Sequence, residues 1–520
     1  MSRIRPAAVM ILAAGAGTRM KSATPKVLHP IAGRSLVGHA LTAAAQLDPE
    51  RIVVVVRHEK ERVAAHIHEI APNALLADQD EIPGTGRAVY CGLSALDATA
   101  VAAQVAAGAV GDTAVLDTQV EGAIVVTSGD VPLVDAELLG QLLDAHANAG
   151  AAVTVLSAQV DDPTGYGRIV RDAGSGEVVE IVEHKDASQE QREIDEINSG
   201  IYVFDAAALR GAVAQLDQNN AQGEMYLPDV IAIARREGGR IHPFIAPDAG
   251  SVEGVNDRVQ LAQLGRIMND RIVEHWMREG VTVVDPTTTW IDADVHLAPD
   301  VTILPGTQLH GETQIASGAT VGPDTTLTDV QVGAGASVIR THGSKSIIDE
   351  DATVGPFSYL RPGTHLGADG KIGAFVETKN ASIGAHSKVP HLSYVGDASI
   401  GEYSNIGAAT IFVNFDGVDK HHSTIGSHAR IGSDNSLIAP VNIGDGAYTG
   451  AGAVIRRDVP AGALGRNSSP QQVVEGWVLK RRPGTPSAAA AHEALRSNDD
   501  GLSEGARAER AAANETEGES

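Results

Sequence analysis

A chain of 520 residues with 43% apolar content is globular and long enough for two or more separately cored domains. Its formal net charge of −26 argues against a nucleic-acid partner, and no apolar run reaches membrane-spanning length, so neither nucleic acid nor membrane is expected as a partner. Cys91 is the only cysteine, which excludes an internal disulfide and fits a reducing cytoplasm.

At the start, Arg3 and Arg5 before Ala7–Leu12 imitate a weak signal peptide. The apolar run is short, however, and flows into Leu12-Ala13-Ala14-Gly15-Ala16-Gly17-Thr18-Arg19-Met20, followed by Pro25-Lys26. This reads as a buried first strand entering a glycine-rich turn, with two cations beyond. Glycines let backbone N–H groups converge on phosphate oxygens, and a chain this acidic needs local cations to hold an anion. The turn is neither a Walker A loop nor a dinucleotide fingerprint. Val9–Ala13, Ile52–Val56, Ile124–Thr127, Ala152–Leu156 and Ile201–Phe204 are continuous apolar runs, expected as parallel strands buried on both faces. Residues 95–122, rich in Ala, Val, Gly and Asp, read as a surface excursion. Asp130, just past the third run in Ser128-Gly129-Asp130, stands where open α/β sheets bind ligands. Beside a phosphate loop, that carboxylate suits Mg²⁺.

From Asn256 to about Glu279, Val259, Leu261, Leu264, Met268, Ile272 and Trp276 trace one face of a connecting helix. Then the chain is written in sixes. Ile291, Leu297, Ile303, Leu309, Ile315, Val321 and Leu327 keep an unbroken stride, which resumes at Ile348, Val354, Leu360, Leu366 and Ile372. It returns at Val389 and Val395, at Ile400 and Ile406, and again at Ile425, Ile431, Leu437 and Ile443. This period fits neither a helix nor an alternating strand. It marks a solenoid whose stacked coils bury the aliphatics in a column. The segment Phe412–Lys420 interrupts the sixes and is expected as a loop extruded from one face. The tail after Lys480-Arg481-Arg482 is Ala/Glu/Ser/Asn-rich and poor in large apolar residues, and is expected to be disordered. The resulting division is 1–250, a connector at 251–285, a β-helix at 286–480 and a tail at 481–520.

The N-terminal residues resemble the sugar-phosphate nucleotidyltransferases. Five stretches narrow that resemblance: Asp162–Arg168, Ile181–Ala187, Glu196–Gly200, Asn219–Glu224 and Val252–Asn256. With them the chain looks like the bifunctional N-acetylglucosamine-1-phosphate uridyltransferase/glucosamine-1-phosphate N-acetyltransferase family, in an actinobacterial-like form, over residues 6 to 485. The resemblance implies an α/β Rossmann-like nucleotidyltransferase domain followed by a left-handed parallel β-helix of hexapeptide repeats. It implies a homotrimer with acetyltransferase sites between protomers. UTP, acetyl-CoA, glucosamine-1-phosphate and N-acetylglucosamine-1-phosphate would be the small-molecule partners.

Carried across by motif, Leu12, Ala13, Ala14, Gly15, Arg19, Lys26, Ser128 and Gly129 would hold the nucleotide. Gln79, Gly84 and Thr85 would read the uracil, and Gly167, Glu183 and Asn198 would hold the N-acetylglucosamine moiety. Asp130 and Asn256 would ligate Mg²⁺. In the β-helix, Arg361, Lys379, Tyr394, Asn405 and Lys420 would hold glucosamine-1-phosphate, with His391 as general base. Ala408, Asn414, Phe415, Ser433 and Ala451 would line acetyl-CoA. Four positions depart from the usual motifs: Pro83, Arg87 in place of His, Met225 in place of Tyr, and Phe415 in place of Tyr. A single-activity nucleotidyltransferase with a regulatory or trimerising β-helix is the alternative.

Overall fold

The computed structural model describes residues 4–106, 119–467 and 471–500. The chain divides into two compact units, Met1–Gly465 and Arg466–Ser520.

The first half of the larger unit is a Rossmann-like mixed sheet. Its strands are β1 (Ala8–Ala13), β2 (Arg51–Val56), β3 (Leu75–Asp78), β4 (Ala123–Ser128), β5 (Val153–Gln159), β6 (Arg168–Arg171), β7 (Val178–Val182), β8 (Glu196–Asp205) and β9 (Ile241–Ile245). The main path runs β9-β5-β8-β4-β1-β2-β3, with the β6–β7 hairpin attached to β8. β1 is an interior strand, buried along nearly its whole length and parallel to both β2 and β4. The imitation of a signal peptide is therefore a core strand.

The expectation of parallel pairing fails at one strand. β8, which carries Ile201–Phe204, runs antiparallel to both β4 and β5. Burial on both faces makes a run continuously apolar, but it does not set strand direction; the connections do. Residue 95, expected to open a surface excursion, instead lies within a helix. A helix spans Thr85–Ala106, and Leu96 within it is fully buried. Residues 107–118 of that stretch lie outside the described residues.

The connecting helix is Arg258–Arg278, capped by the Asp257 carboxylate, which accepts from Val259 and Gln260 N–H at 2.9 Å each. Leu264 is buried on its core face, whereas Val259, expected on that face, is 65% exposed. The buried set also includes Asn269, which the apolar pattern does not mark. Its amide Nδ2 donates to Thr289 O at 2.9 Å while its Oδ1 accepts from Ile291 N–H at 3.0 Å. One side chain thus supplies the donor and acceptor of a missing strand and closes the first edge of the solenoid, where open peptide groups would cost free energy.

The second half is the left-handed parallel β-helix. Trp290 pairs with Gln308 and Ile291 with Leu309, a step of three hexapeptides per coil. The aliphatics of the six-residue stride, from Ile291 through Ile443, are all buried in one continuous column. Coil strands run from Thr282–Val283 to Leu464–Gly465. Residues Ile383, Ile400 and Ile425 stack in register, so the extra residues between Ile400 and Ile425 must leave the coil. The extrusion starts later than expected: Ile411–Val413 is still a coil strand, with Phe412 fully buried and paired with Leu437, and the chain leaves the coil only from Asn414 and returns at Ser423. The sheet half and the β-helix meet directly: Ala293 N–H donates to Ala32 O at 2.9 Å, and Arg34 pairs with Asp294.

In the second unit, Trp477–Arg481 and Pro486–Asp500 are helical. The expectation of disorder thus fails over 486–500, where a first-turn proline and four successive alanines favour helix. Residues 501–520 lie outside the described residues. Among the described residues, no helix is long and apolar enough to cross a membrane.

Candidate active sites

β1 ends where the glycine-rich turn begins. Gly17 adopts φ +60, and a Cβ there would sit 2.5 Å from Lys26 Cβ, so a bare backbone both makes the turn and lets Lys26 close over it. Beyond β1 and β4 lies a cavity of about 380 Å³ lined by Leu12 to Ala16, Lys26, Gln79, Gly84, Thr85, Ser128 and Asp130. Its polar groups form one network. Lys26 Nζ pairs with Asp130 and lies 3.4 Å from Asn256 Oδ1, which also accepts from Arg19 at 2.7 Å. Ser128 Oγ donates to the other Asp130 oxygen at 2.6 Å, and Gly129 N–H holds Leu12 O at 2.9 Å. Asp130 and Asn256 therefore present two hard oxygen donors converging on one cation, a donor set that suits a divalent metal.

The cavity's opposite wall is a turn held by backbone pairing. Gly86 N–H donates to Met225 O and Met225 N–H to Pro83 O, each at 2.9 Å. Gly84 has φ +115, and a Cβ there would overlap the Met225 carbonyl. Met225 thus serves this wall through its main chain, which its replacement of tyrosine leaves intact. Gln79, 8% exposed, donates from Nε2 to Ile82 O and Gly84 O at 2.9 and 3.1 Å. Thr85 Oγ1 accepts from Leu227 N–H at 3.1 Å. Arg57, His58 and Glu224 also line the cavity. Arg57 and His58 follow β2 and no motif marked them, whereas Glu224 ends the Asn219–Glu224 stretch without having been assigned a role.

Gly167, Glu183 and Asn198 gather at the junction of β6, β7 and β8. Asn198 N–H bonds Gly167 O at 2.9 Å, and a Cβ on Gly167 would lie 3.2 Å from Glu183 Oε1. Asn198 Oδ1 accepts from the buried Tyr202 hydroxyl at 2.9 Å, which fixes its amide. Burial, and then repulsion from Asp186 and Asp229, pushes the Glu183 carboxyl above its ordinary range.

On the β-helix the candidates sort onto two edges of the prism. Successive backbone bonds stack one corner: Leu392 N–H to Ala374 O, Ala409 to His391, Asp434 to Ala408 and Gly452 to Ser433, at 2.7 to 3.3 Å. His391, Ala408 and Ser433 therefore occupy equivalent places on successive coils, with Ala451 next in the column. Asn405 belongs to the strand column leading into this corner, paired with Lys388.

The other candidates cluster around a different corner, marked by Asn380 and Asp397. Both have positive φ, and Asn380 Nδ2 donates to Asp397 at 2.8 Å. Here Arg361 pairs with Glu377 at 2.9 Å. The Lys420 ammonium beside Lys379 pushes the Lys379 amine below its ordinary range, the mark of cations gathered without enough anion. Asn414 Nδ2 reaches Tyr394 OH at 3.4 Å and also bonds Asp397. Phe415 bridges Lys420 across the extruded loop and is 53% exposed. Sequence reasoning assigned no role to Asp397 or Glu377, the carboxylates among these cations; Glu377 lies in the stretch that carries Lys379, and Asp397 lies in no recognisable motif. The structure separates Asn405 from the other sugar-phosphate candidates, and Asn414 and Phe415 from Ala408, Ser433 and Ala451.

The fold and its first site define a nucleotidyltransferase extended by a β-helix. Residues 9–225 match the MobA-like NTP transferase domain. The chain is 58% identical to the "Bifunctional protein GlmU" of Kineococcus radiotolerans, over 94% of this chain and 95% of that one. It is 58% identical to that of Paenarthrobacter aurescens over 94% and 95%, and 55% identical to that of Streptomyces avermitilis over 95% and 99%. The chain belongs to the bifunctional GlmU family. It is a two-activity enzyme, a uridyltransferase joined to an N-acetyltransferase.

Proposed function

We propose that the β-helix transfers acetyl from acetyl-CoA to glucosamine-1-phosphate, and that the sheet half then joins the product to UMP from UTP within the cytoplasm. What carries the first half of this reading is the Lys26–Asp130–Asn256–Arg19 network beside a glycine-rich turn. The sugar phosphate attacks the α-phosphorus of UTP and pyrophosphate leaves in line. A phosphate oxygen already bears charge, so the protein positions the reactants and needs no side-chain nucleophile. Arg19, Lys26 and the N–H groups of residues 12–15 neutralise phosphate. Gln79, Gly84 and Thr85 face the base, and Gly167, Glu183 and Asn198 face the sugar. Asp130 and Asn256 would hold Mg²⁺, which when bound screens the phosphate charges.

In the β-helix, Arg361, Lys379 and Lys420 hold the sugar phosphate, and Tyr394 and Asn405 the sugar. His391 accepts the proton that the amine sheds on attacking the thioester, a task suited to neutral imidazole. Ala408, Asn414, Phe415, Ser433 and Ala451 line acetyl-CoA, and a backbone N–H near Ala408 steadies the oxyanion. The split of these candidates between two corners supports a homotrimer in which each site takes one corner from each of two copies. Assaying purified protein separately for pyrophosphate release and thioester consumption tests the whole reading. Pyrophosphate release without thioester consumption would reduce the β-helix to a scaffold, and a monomer by light scattering at micromolar concentration would remove the shared site.

A further inference from the structure

The turn that presents Gln79, Gly84 and Thr85 is closed by an ion pair with no part in the chemistry above. Arg87 lies in the first turn of the helix Thr85–Ala106, and its Nε is 2.9 and 3.1 Å from the two Asp80 carboxylate oxygens. Its NH2 bonds the same carboxylate, completing a two-pronged fork. The guanidinium plane is steadied 4.4 Å above the Tyr90 ring and holds the Asp80 carboxyl below its ordinary range. Asp80 also accepts the Ile82 N–H at 3.1 Å, so the fork pins the backbone between Gln79 and Gly84.

Two carbonyls of that pinned backbone, those of Ile82 and Gly84, take the hydrogens of the Gln79 amide. Both partners are acceptors, which fixes the amide's orientation and leaves Oε1 as its remaining functional atom. A fixed acceptor complements a pyrimidine N3–H, as in uracil, and repels the N3 lone pair of cytosine. Sites that leave a buried polar group unpaired reject the wrong ligand strongly.

We propose that the Asp80–Arg87 fork is a specificity-determining brace: it orders the turn so that Gln79 presents only its acceptor, and thereby sets the preference for UTP over CTP. The proposal rests on the reading that this turn faces the base. A lysine at position 87 keeps the charge but loses the planar fork, and the histidine usual at this position has no such fork.

Steady-state kinetics of full-length R87K and D80N with UTP and with CTP test the brace. Each substitution should raise KM for UTP and lower the UTP/CTP preference by about fivefold, as expected for a partly screened fork. The kcat with UTP, the KM for N-acetylglucosamine-1-phosphate and acetyl transfer should stay within about twofold. The double variant should be no worse than either single one, because both remove one interaction. Unchanged KM and preference in both R87K and D80N would overturn the brace. Q79L separates the premise from the proposal. If Q79L keeps its preference for UTP, the turn does not read the base; if only Q79L loses it, the turn reads the base but the brace does not set it.

Discussion

The sheet half encloses its candidate site, whereas the β-helix wears its candidates on the outside. At the ends of β1 and β4, one chain brings Lys26, Asp130, Asn256 and Gln79 together around a cavity, with the partner of each charge already in place. The β-helix fills its interior with aliphatics, so its polar groups can only stand on faces and corners. There, Lys379 and Lys420 crowd together and His391 lies on another corner. A twisted sheet makes a crevice by itself. A solenoid needs a second surface to make one.

The contrast breaks most sharply at Asp130. Replacing Asp130 by Ala removes a donor from the converging pair and leaves Lys26 without its counter-ion. Pyrophosphate release should fall by about a thousandfold, the upper end for losing one preorganised electrostatic group, while thioester consumption stays nearly intact. Equal loss of both activities in a folded variant would show that the two halves are not separate sites.

His391→Ala should lower acetyl transfer by about a hundredfold to ten-thousandfold, with uridylyl transfer untouched. Its residual rate should rise with pH as the free amine deprotonates and needs no base. Mixed trimers of His391→Ala and Lys379→Ala chains sharpen the comparison further. If each site takes its two corners from different copies, refolding the two inactive chains together should restore acetyl transfer. Failure to complement, with mixed trimers confirmed by native mass spectrometry, would place the whole site on one chain.

The two halves should also lose substrate on opposite sides of neutrality. Lys379 is held below its ordinary range chiefly by Lys420, so it sheds its proton early as pH rises. KM for glucosamine-1-phosphate should then climb by about tenfold at alkaline pH, the loss of one charge-assisted bond. Lys420→Ala should raise KM overall but move that limb to higher pH. Glu183 is held above its ordinary range by burial and nearby carboxylates, so it takes up a proton early as pH falls. KM for N-acetylglucosamine-1-phosphate should rise by about threefold on the acid side, and Glu183→Gln should remove that limb. A flat KM across the acid range in the unaltered enzyme would show that Glu183 does not touch the sugar.

Much of this was legible in the residues. One aliphatic every six positions demands a buried column, and a column of short strands can only be a solenoid. A strand, a Gly-x-Gly turn and two cations within a few residues demand an anion site, because those relations are short-range and the backbone enforces them. The tertiary structure decided what long-range register controls. Connections, not composition, made β8 antiparallel. Burial of a polar Asn269 could not be read from an apolar stripe, because its value lies in the peptide groups of another element. Which candidates share a prism edge depends on coil lengths that vary along the chain and on the extruded loop, so spacing alone could not show that His391 and Lys379 part company. The Asp80–Arg87 fork is short-range in sequence, but only the fold turns both side chains back on the same loop.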